Sequence, residues 1–525
     1  MATDLAAQAA ALFASWEGPN SPGVVWAATQ GGREVLSGAV GMADIAQSVP
    51  MDRRSVIRIG SQTKQFTVLL ALMLEAEGKL SMQDEVHRYA PWLPKFPAPI
   101  MLQHLATNTS GMRDFLEIMT YSGLPLAGPA NRAREREMIA AHGEVNFAPG
   151  TQMIYCNTGF WLLSEIIEEV SGRSFNELLA ERITGPLGMA DTSLVLRDTQ
   201  ILPRLVAMHV RMPDGGWETA RWGLEIGGEG GMVSTLEDVL TWQRNLDSPK
   251  VGSAALFARM ATPVTYRNGT VGLYAMGLTH EVYRGWLSIA HGGGVAGGRS
   301  ESVRFPEAGI GVVSLANFDA IAPASVNRRI ADLLLPGGRW SPPPREAAQR
   351  LVAAAGLYRQ EGGPELLGIR HSGGGPALLT GAGLARLEET APGVFAPERA
   401  TQHITLSLSG DGSLATTTCG EAARFVKLVP PEGPFADISG SYANAATGIT
   451  ARIETMGAAL RLSMGTDAGR HRMSLTWIDR DLLVGLPEAA SPSRSWPPSW
   501  SCTLQIVPEG LLLTTDRTKR LVLKR

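Results

Sequence analysis

The stretch SQTKQFTVLLALML, residues 61–74, decides how the first part of the chain is interpreted. The helix that residues 61–77 predict is apolar nearly all round, and such a helix is usually buried in the middle of a domain. Ser61 and Lys64 stand three positions apart at its start, so their side chains share a face. A serine hydroxyl is a poor nucleophile until a base accepts its proton, and burial favours the neutral, basic form of a lysine. The stretch therefore predicts Ser61 as a nucleophile activated by Lys64, although alone it also fits a helix-capping serine beside an unrelated lysine.

A second motif is Tyr155-Cys156-Asn157, which follows a predicted turn and precedes a predicted helix. Two residues separated by one position on an extended segment point the same way. The Tyr155 phenol could relay a proton, and the Asn157 amide could hold the lysine or a substrate carbonyl. Alone, the motif fits equally a packed core tyrosine followed by a capping asparagine. Cys156 should point away from the other two side chains.

A third motif, His291-Gly292-Gly293-Gly294, follows the apolar strand predicted at 286–290. Glycines permit the close approach of a backbone to a ligand, and a histidine supplies a group that titrates near neutrality. Alone, it fits a glycine-rich turn after a strand.

Around these motifs, strand-like and helix-like apolar periods alternate up to about residue 335. The pattern predicts strands at both ends of the segment and helices between them, which is typical of an α/β domain with an antiparallel sheet. The predicted strands are 23–29, 34–40, 301–305 and 309–316, and the predicted helices are 158–170, 174–184 and 324–335.

The remainder of the chain has another texture. A segment rich in Gly and Pro, 337–346, predicts a linker, and short strands with frequent turns follow it. Gly356-Leu357-Tyr358 recurs as Gly440-Ser441-Tyr442, which indicates two all-β units, with chance similarity between β-rich segments as the alternative. The predicted organisation is a catalytic domain at 1–336, a β-barrel at 347–430 and a second β-barrel at 431–525.

The second unit is longer than the first, and its extra residues fall in LPEAASPSRSWPPSW, 486–500. Insertions stiffened by proline and bearing aromatic residues are more often functional loops than accidents of length. Glu488 is the acid within this loop. We therefore predict an active-site loop at 486–500, with a solvated Glu488 and purely structural tryptophans as the alternative.

Composition restricts the class of protein. The chain has 525 residues, a net charge of −3 and ordinary globular composition, and no stretch concentrates Lys or Arg, so nucleic acid is not an expected partner. No apolar run approaches the roughly 18 residues that span a bilayer. The alanine-rich N-terminus carries Asp4 and has no basic residue before Arg33, which disfavours an export signal and predicts a short amphipathic helix in a cytoplasmic protein. Three widely spaced cysteines fit neither a disulfide framework nor a zinc site.

Taken together, S-x-x-K, Y-x-N and H-x-G in this order resemble the serine β-lactamases and penicillin-recognising hydrolases, above all the class C-like branch. The phrases MLQHLATNTSG (101–111), FAPGT (147–151) and GGMVSTLEDV (230–239) support the resemblance, which covers roughly residues 15–335. A narrower resemblance is to the bacterial D-aminopeptidase branch, which has two C-terminal β-barrels and a loop from the last one in the catalytic cleft. That branch carries an aspartate in the loop near a Ser-Pro step, whereas here the acid is Glu488.

The resemblance implies a β-lactamase-like α/β (α+β) domain, with a central antiparallel sheet flanked by helices, followed by two small antiparallel β-barrels. It implies that Ser61 forms an acyl-enzyme while Lys64 and Tyr155 share the proton, and that the backbone N–H groups of Ser61 and Gly294 hold the oxyanion. Asn157, His291, Gly294 and Glu488 are the implied substrate-binding residues. No metal or organic cofactor is implied, and the partners are a small-molecule or short-peptide substrate and a second copy in a homodimer, with no membrane.

The implied substrate is a small peptide, amide or ester with a free amino group on a D-residue. Three alternatives share the same catalytic residues: a D-alanyl-D-alanine carboxypeptidase, a β-lactamase-like carboxylesterase, and a non-enzymatic sensor that β-lactams acylate. The preferred side chain, the base in each step and the response to β-lactams do not follow from the sequence.

Overall fold

The computed structural model describes most of the chain. The described residues are 2–124, 128, 130–212, 214–337, 339, 345–372, 375–380, 383–398, 402–429, 431–457, 459–467, 469–488 and 502–525.

The helices lie almost entirely in the first 335 residues. They are α1 Ala2–Ala11, α2 Thr63–Ala76, α3 Leu102–Ala106, α4 Phe115–Ser122, α5 Arg132–Ala140, α6 Asn157–Ser171, α7 Phe175–Leu179, α8 Gly185–Leu187, α9 Leu236–Asp247, α10 Ala254–Met260, α11 Pro323–Asp332 and α12 Arg345–Ala353. No helix in the described ranges is long and apolar enough to cross a membrane.

The strands fall into three groups along the chain. Those of the first group are β1 Val24–Gln30, β2 Arg33–Val40, β3 Met42–Asp44, β4 Val49–Pro50, β5 Ile57–Arg58, β6 Ser193–Leu194, β7 His209–Arg211, β8 Trp217–Thr219, β9 Met232–Ser234, β10 Thr279–Tyr283, β11 Trp286–Val295, β12 Gly298–Phe305 and β13 Ile310–Ala316. Those of the second are β14 Gly356–Gln360, β15 Leu366–Ser372, β16 Gly375–Thr380, β17 Gly383–Ala391, β18 Val394–Pro397, β19 Ile404–Leu408, β20 Leu414–Thr418 and β21 Glu421–Lys427. Those of the third are β22 Gly440–Asn444, β23 Ile449–Met456, β24 Ala459–Thr466, β25 Gly469–Asp479, β26 Leu482–Pro487, β27 Cys502–Val507, β28 Gly510–Thr514 and β29 Leu521–Lys524.

The central sheet of the first domain has six strands in the order β10-β11-β12-β13-β1-β2, and every neighbouring pair is antiparallel. The hairpin β1–β2 turns at Gly31 and Gly32, which both have positive φ, as a tight hairpin turn requires. This sheet, with strands from both ends of the domain, confirms the predicted fold class.

Side chains of β1 alternate between two apolar cores. Val25 and Ala27 belong to the core that contains α2 and α6, whereas Val24 and Trp26 belong to the core on the opposite face, with α1 and α11. Helix α2 is buried along nearly its whole length, as its apolar sequence predicts. The sheet is therefore covered by helices on both faces.

Beyond residue 355 the chain forms two closed antiparallel barrels, β14–β21 and β22–β29, of eight strands each. The repeated tyrosines lie in the first strand of each barrel. The hydroxyl of Tyr358 donates to the Ala354 carbonyl and that of Tyr442 to the Ile438 carbonyl, so each contacts the residue four positions before it. The repeat predicted from sequence thus corresponds to two copies of one architecture. One detail differs from the expectation, since α12 begins at Arg345, inside the segment predicted as a linker, and buries Leu351 in the first barrel core.

Candidate active site

Ser61 lies in a 3₁₀ turn, Gly60–Gln62, that leads directly into α2. Gly60 has a φ of 55°, and a Cβ on it would lie 2.7 Å from the Gly294 backbone nitrogen. Only a glycine allows the turn to approach β11 this closely. The sequence places the serine hydroxyl beside the end of a strand by this means.

Lys64 lies one helical turn further, and its side chain is completely buried. Its Nζ is 3.0 Å from Ser61 Oγ and donates to Asn157 Oδ1 at 2.9 Å and to the Glu229 carbonyl. Burial lowers the pKa of Lys64 to about 7, against the opposing influence of nearby acids. The amine can therefore be neutral at physiological pH, with its lone pair available to the serine proton.

Asn157 is the first residue of α6, and Asp114 fixes its orientation. Asp114 Oδ2 accepts hydrogen bonds from the Asn157 backbone nitrogen at 2.6 Å and from Nδ2 at 2.8 Å. The amide oxygen is thereby directed to Lys64. Cys156 points elsewhere, since its thiol donates to the Met112 carbonyl at 3.4 Å.

Tyr155 lines the same cleft as Ser61 and Asn157. Its ring lies edge-on to Tyr274, with 6.2 Å between centroids, and Lys64 Nζ is 4.9 Å from its ring centre. Burial raises the pKa of the Tyr155 phenol well above its usual range, while the Ser61 hydroxyl and the Arg517 cation lower it. Within the described residues its hydroxyl interacts with the Ser61 hydroxyl and makes no other hydrogen bond, so it is available to a substrate atom.

His291 lies inside β11, which continues to Val295 rather than ending in a glycine turn at residue 290. Its Nε2 faces the Tyr274 hydroxyl at 3.1 Å, and its Nδ1 faces the Gly292 carbonyl at 2.6 Å. Burial, with the nearby Lys64 charge, lowers the pKa of His291 to about 3. The expectation of a group that titrates near neutrality is thus wrong: the imidazole is held neutral.

Among the strands that the structure describes, none pairs with β11 beyond Ala290 on the side of β10. Strand β10 pairs with β11 only as far as the Thr279–Ala290 position, so His291–Val295 extend past it. Gly294 lies in this stretch and lines the cleft with Ser61. The backbone there is accessible to a substrate carbonyl.

Glu488 lies at the end of β26, where its carboxylate accepts a hydrogen bond from Arg461 Nε at 2.9 Å. It is not among the residues that line the cleft around Ser61. The rest of the predicted loop from residue 489 lies outside the described residues. The structure brings together Ser61, Lys64, Tyr155, Asn157, His291 and Gly294. The described walls of this cleft do not include Glu488, which pairs with Arg461.

The cleft has a volume of about 990 Å³, and both barrels contribute to its walls. Gln360, Ile404 and Glu421 come from the first barrel, and Asp516 and Arg517 come from the turn between β28 and β29. Four further residues of the site, Asp114, Glu229, Tyr274 and Arg517, were not predicted from the sequence. Asp114 could have been found as an acid that precedes a helix, but contacts between distant segments, such as that of Arg517, leave no local signal.

Comparison with known proteins agrees with this description. The family model Beta-lactamase matches residues 9–335. The chain therefore belongs to the beta-lactamase family, as its motifs and their order predict. The chain is also similar to curated relatives named D-aminopeptidase, and this similarity covers more of the chain than the family model does. The one from Cereibacter sphaeroides (strain ATCC 17023) is 30% identical over 416 residues, 77% of this chain and 78% of the relative. That of Gluconobacter oxydans is 29% identical over 75% of each chain.

Solved structures show the same fold. The octameric penicillin-binding protein homologue from Pyrococcus abyssi aligns over 93% of this chain and 98% of its own, with a TM-score of 0.57 at 20% identity. The D-amino acid amidase from Ochrobactrum anthropi SV3, complexed with L-phenylalanine amide, aligns over 63% of this chain and 98% of its own, with a TM-score of 0.53 at 25% identity. These similarities confirm the predicted family and the resemblance to the D-aminopeptidase branch.

Proposed function

We propose that this chain is a serine hydrolase that releases N-terminal D-amino acids from small peptides, amides or esters. The observation that carries the proposal is the buried Lys64 amine, 3.0 Å from the Ser61 hydroxyl. The relatives named D-aminopeptidase, similar over three quarters of the chain, supply the class of substrate. A cleft of about 990 Å³ has the size of pockets that hold small ligands.

Acylation begins when the Ser61 oxygen attacks the substrate carbonyl and its proton passes to Lys64, directly or with Tyr155. The tetrahedral intermediate places its oxyanion against the backbone N–H groups of Ser61 and Gly294. When it collapses, the carbon–nitrogen bond breaks and the leaving amine takes the proton from the same pair of side chains. An acyl-enzyme on Ser61 remains. Water then attacks the ester and gives a proton to the same base. When this second tetrahedral intermediate collapses, the bond between the acyl carbon and Ser61 Oγ breaks, the proton returns to Oγ, and the D-amino acid leaves.

Asn157 and His291 support these steps without changing charge. Asn157 holds the lysine through its amide oxygen. The neutral His291, hydrogen-bonded to Tyr274, forms one wall of the cleft and adds no charge that would compete with the lysine. We propose that both also contact the substrate, as Gly294 does.

The proposals for cellular location and assembly rest on the sequence and on the family resemblance. We propose a cytoplasmic homodimer; the structural neighbour from Pyrococcus abyssi is octameric, which makes larger assemblies the alternative. Sedimentation equilibrium distinguishes two copies from eight.

The activity is tested with D-alanine p-nitroanilide, its L-enantiomer and its N-acetyl derivative. We expect steady release of nitroaniline from the free D-amide, at least about ten-fold slower release from the other two, and none with Ser61→Ala, which lacks the nucleophile. A single burst without turnover would indicate a sensor. Preference for the N-acetyl compound or for simple esters would favour a carboxypeptidase or a carboxylesterase and overturn the proposal.

A further inference from the structure

The turn between β28 and β29 of the second barrel, residues 515–520, enters the catalytic domain. The Asn146 side chain forms two hydrogen bonds with the backbone of this turn: Nδ2 donates to the Arg517 carbonyl at 2.8 Å, and Oδ1 accepts from the Lys519 nitrogen at 2.8 Å. The buried Glu117 accepts from the Arg517 nitrogen at 3.1 Å and from the Thr518 hydroxyl. The backbone on either side of Arg517 is therefore fixed to the domain that contains Ser61.

The Arg517 side chain then reaches the residues behind the nucleophile. Its Nη1 is 3.4 Å from Asp114 Oδ2, the same oxygen that holds both nitrogens of Asn157. Its guanidinium carbon lies 5.1 Å from the centre of the Tyr155 ring, within the range of cation–π contacts. Arg517 thus contacts one proposed catalytic residue and is connected to Lys64 through Asp114 and Asn157.

We propose that Arg517 is a positioning residue of the catalytic site, supplied by the second barrel, which balances the charge of Asp114 so that Lys64 remains the uncharged base. The inference rests on the proposed function of Lys64. An unbalanced carboxylate behind Asn157 would stabilise a positive charge on the neighbouring amine. In the part of the chain that the structure describes, Arg517 is the cation that pairs with Asp114. Two further acids face Arg517: Asp516 lies 3.8 Å from its Nε, and burial raises the pKa of Glu117 to about 7.

The other groups around Lys64 do not supply this balance. The Glu229 carboxylate lies 3.6 Å from Arg132, a cation that it shares with Glu165 and Glu135. The remaining titratable groups near the amine are Cys156, Tyr155 and His291, and burial keeps each of them uncharged at neutral pH. Burial and the Arg517 charge lower the pKa of Lys64, whereas Glu229, Asp114 and Cys156 raise it. Arg517 is thus the neighbouring cation that favours the free amine.

The test measures how fast a fluorophosphonate labels Ser61 between pH 5 and 9, because this reaction needs the activated serine but no D-amino acid. We expect Arg517→Met to move the acid limb of the labelling rate up by about one pH unit, so that labelling at pH 6 falls roughly ten-fold. Arg517→Lys restores a cation and should keep the limb within a few tenths of a unit. Lys519→Met removes another cation of the same turn, one that pairs with Glu365 at 3.7 Å, and should leave the limb in place.

A second substitution, which should shift the pH limb in the opposite direction, separates this electrostatic role from a structural one. Asp114→Asn removes the opposing charge and should move the limb down, even where Arg517→Met fails to fold, and the double variant should return it towards that of the unmodified chain. A uniform loss of rate at all pH values in Arg517→Met, with the limb unmoved, overturns the inference. Failure to cleave D-alanine p-nitroanilide with normal labelling of Ser61 would overturn only the substrate class, whereas an unlabelled Ser61 would contradict both proposals.

Discussion

The Lys64 amine donates a 2.9 Å hydrogen bond to the side-chain oxygen of Asn157, a residue 93 positions away at the start of another helix. Asp114 holds the opposite end of the same amide. The amide can therefore present only its oxygen to the lysine, and the lysine must donate a proton to it. One N–H group of the amine is occupied in this way. In the neutral amine the other N–H group can donate to the Glu229 carbonyl, and the lone pair can face the Ser61 hydroxyl.

If Lys64 and Tyr155 share one proton pathway, the decreases in kcat caused by substituting each of them should not be additive. We expect Lys64→Ala and Tyr155→Phe each to lower kcat by roughly 10²–10⁴-fold. The double variant should lose little more than the worse single one, because residues that act as a unit are not additive. Steady-state kinetics with D-alanine p-nitroanilide measures all three variants. Losses that multiply would mean that the two side chains act independently.

The pH profile should report the lysine directly. The pKa of Lys64 is lowered to about 7, so the amine becomes protonated below that value and can no longer accept the serine proton. We expect kcat/KM to be flat above about pH 7 and to fall towards ten-fold per unit below it. His291 titrates at about 3 and should not contribute. A limb that persists in the residual activity of Lys64→Ala would assign it to another group.

Cys156 should be a packed thiol rather than a nucleophile. Burial raises the pKa of its thiol to about 12, and its hydrogen bond to the Met112 carbonyl is one that a serine hydroxyl can replace. We expect Cys156→Ser to keep most of the activity. A bulky mercurial should inhibit the unmodified chain by displacing Tyr155 and Asn157, and this sensitivity should be lost in Cys156→Ser. Sensitivity that remains would indicate the other buried thiols, Cys419 or Cys502.

Glu135 should make stability fall as pH rises. Its side chain is buried, it accepts a 2.6 Å hydrogen bond from Trp161 Nε1, and burial raises its pKa to about 8. The folded chain therefore holds a proton that the unfolded chain releases above about pH 4.5, and the stability linked to that proton is lost as pH rises towards and through 8.

Glu135→Gln keeps an acceptor for the indole and removes the titration. Between pH 5 and 8.5 we expect its unfolding free energy, from urea melts, to fall about 1–3 kcal/mol less than that of the unmodified chain. Glu137→Gln, on the exposed side of the same helix, is the matched control and should follow the unmodified chain. Identical slopes in all three would show that Glu135 is ionised in the fold.

Local sequence predicted the elements of the fold better than it predicted their meeting points. The apolar surface of α2, the β1–β2 hairpin and the opening tyrosines of the barrels each have a signal within a few residues. Ser61 and Lys64 are also local, since the helix alone sets their spacing. Arg517 and Asp114 meet only because the second barrel packs on the catalytic domain, and no periodicity encodes such a contact. The prediction that His291 titrates near neutrality was wrong because its imidazole is buried beside Tyr274. That burial depends on strand β11 continuing past residue 290.

The predicted loop at 486–500 gives the last test. We retain Glu488 as a proposed contact for the ammonium group of the substrate, although in the free protein its carboxylate pairs with Arg461. A substrate ammonium would compete with Arg461 for that carboxylate. A charge-assisted hydrogen bond of this kind is worth about 1.5–3 kcal/mol.

Two single substitutions then have opposite expected effects on the KM for D-alanine p-nitroanilide. Glu488→Gln should raise it about ten-fold or more, because the acceptor charge is lost. Arg461→Gln should leave it unchanged or lower it, because the carboxylate is freed from its partner. Shortening the loop between Glu488 and Trp496 should reduce activity on the free D-amide while activity on the N-acetyl derivative holds or rises. The contrary result has two parts: the KM changes equally and in the same direction in both single variants, and the shortened chain loses activity equally on both substrates. Glu488 and its loop would then only stabilise the second barrel.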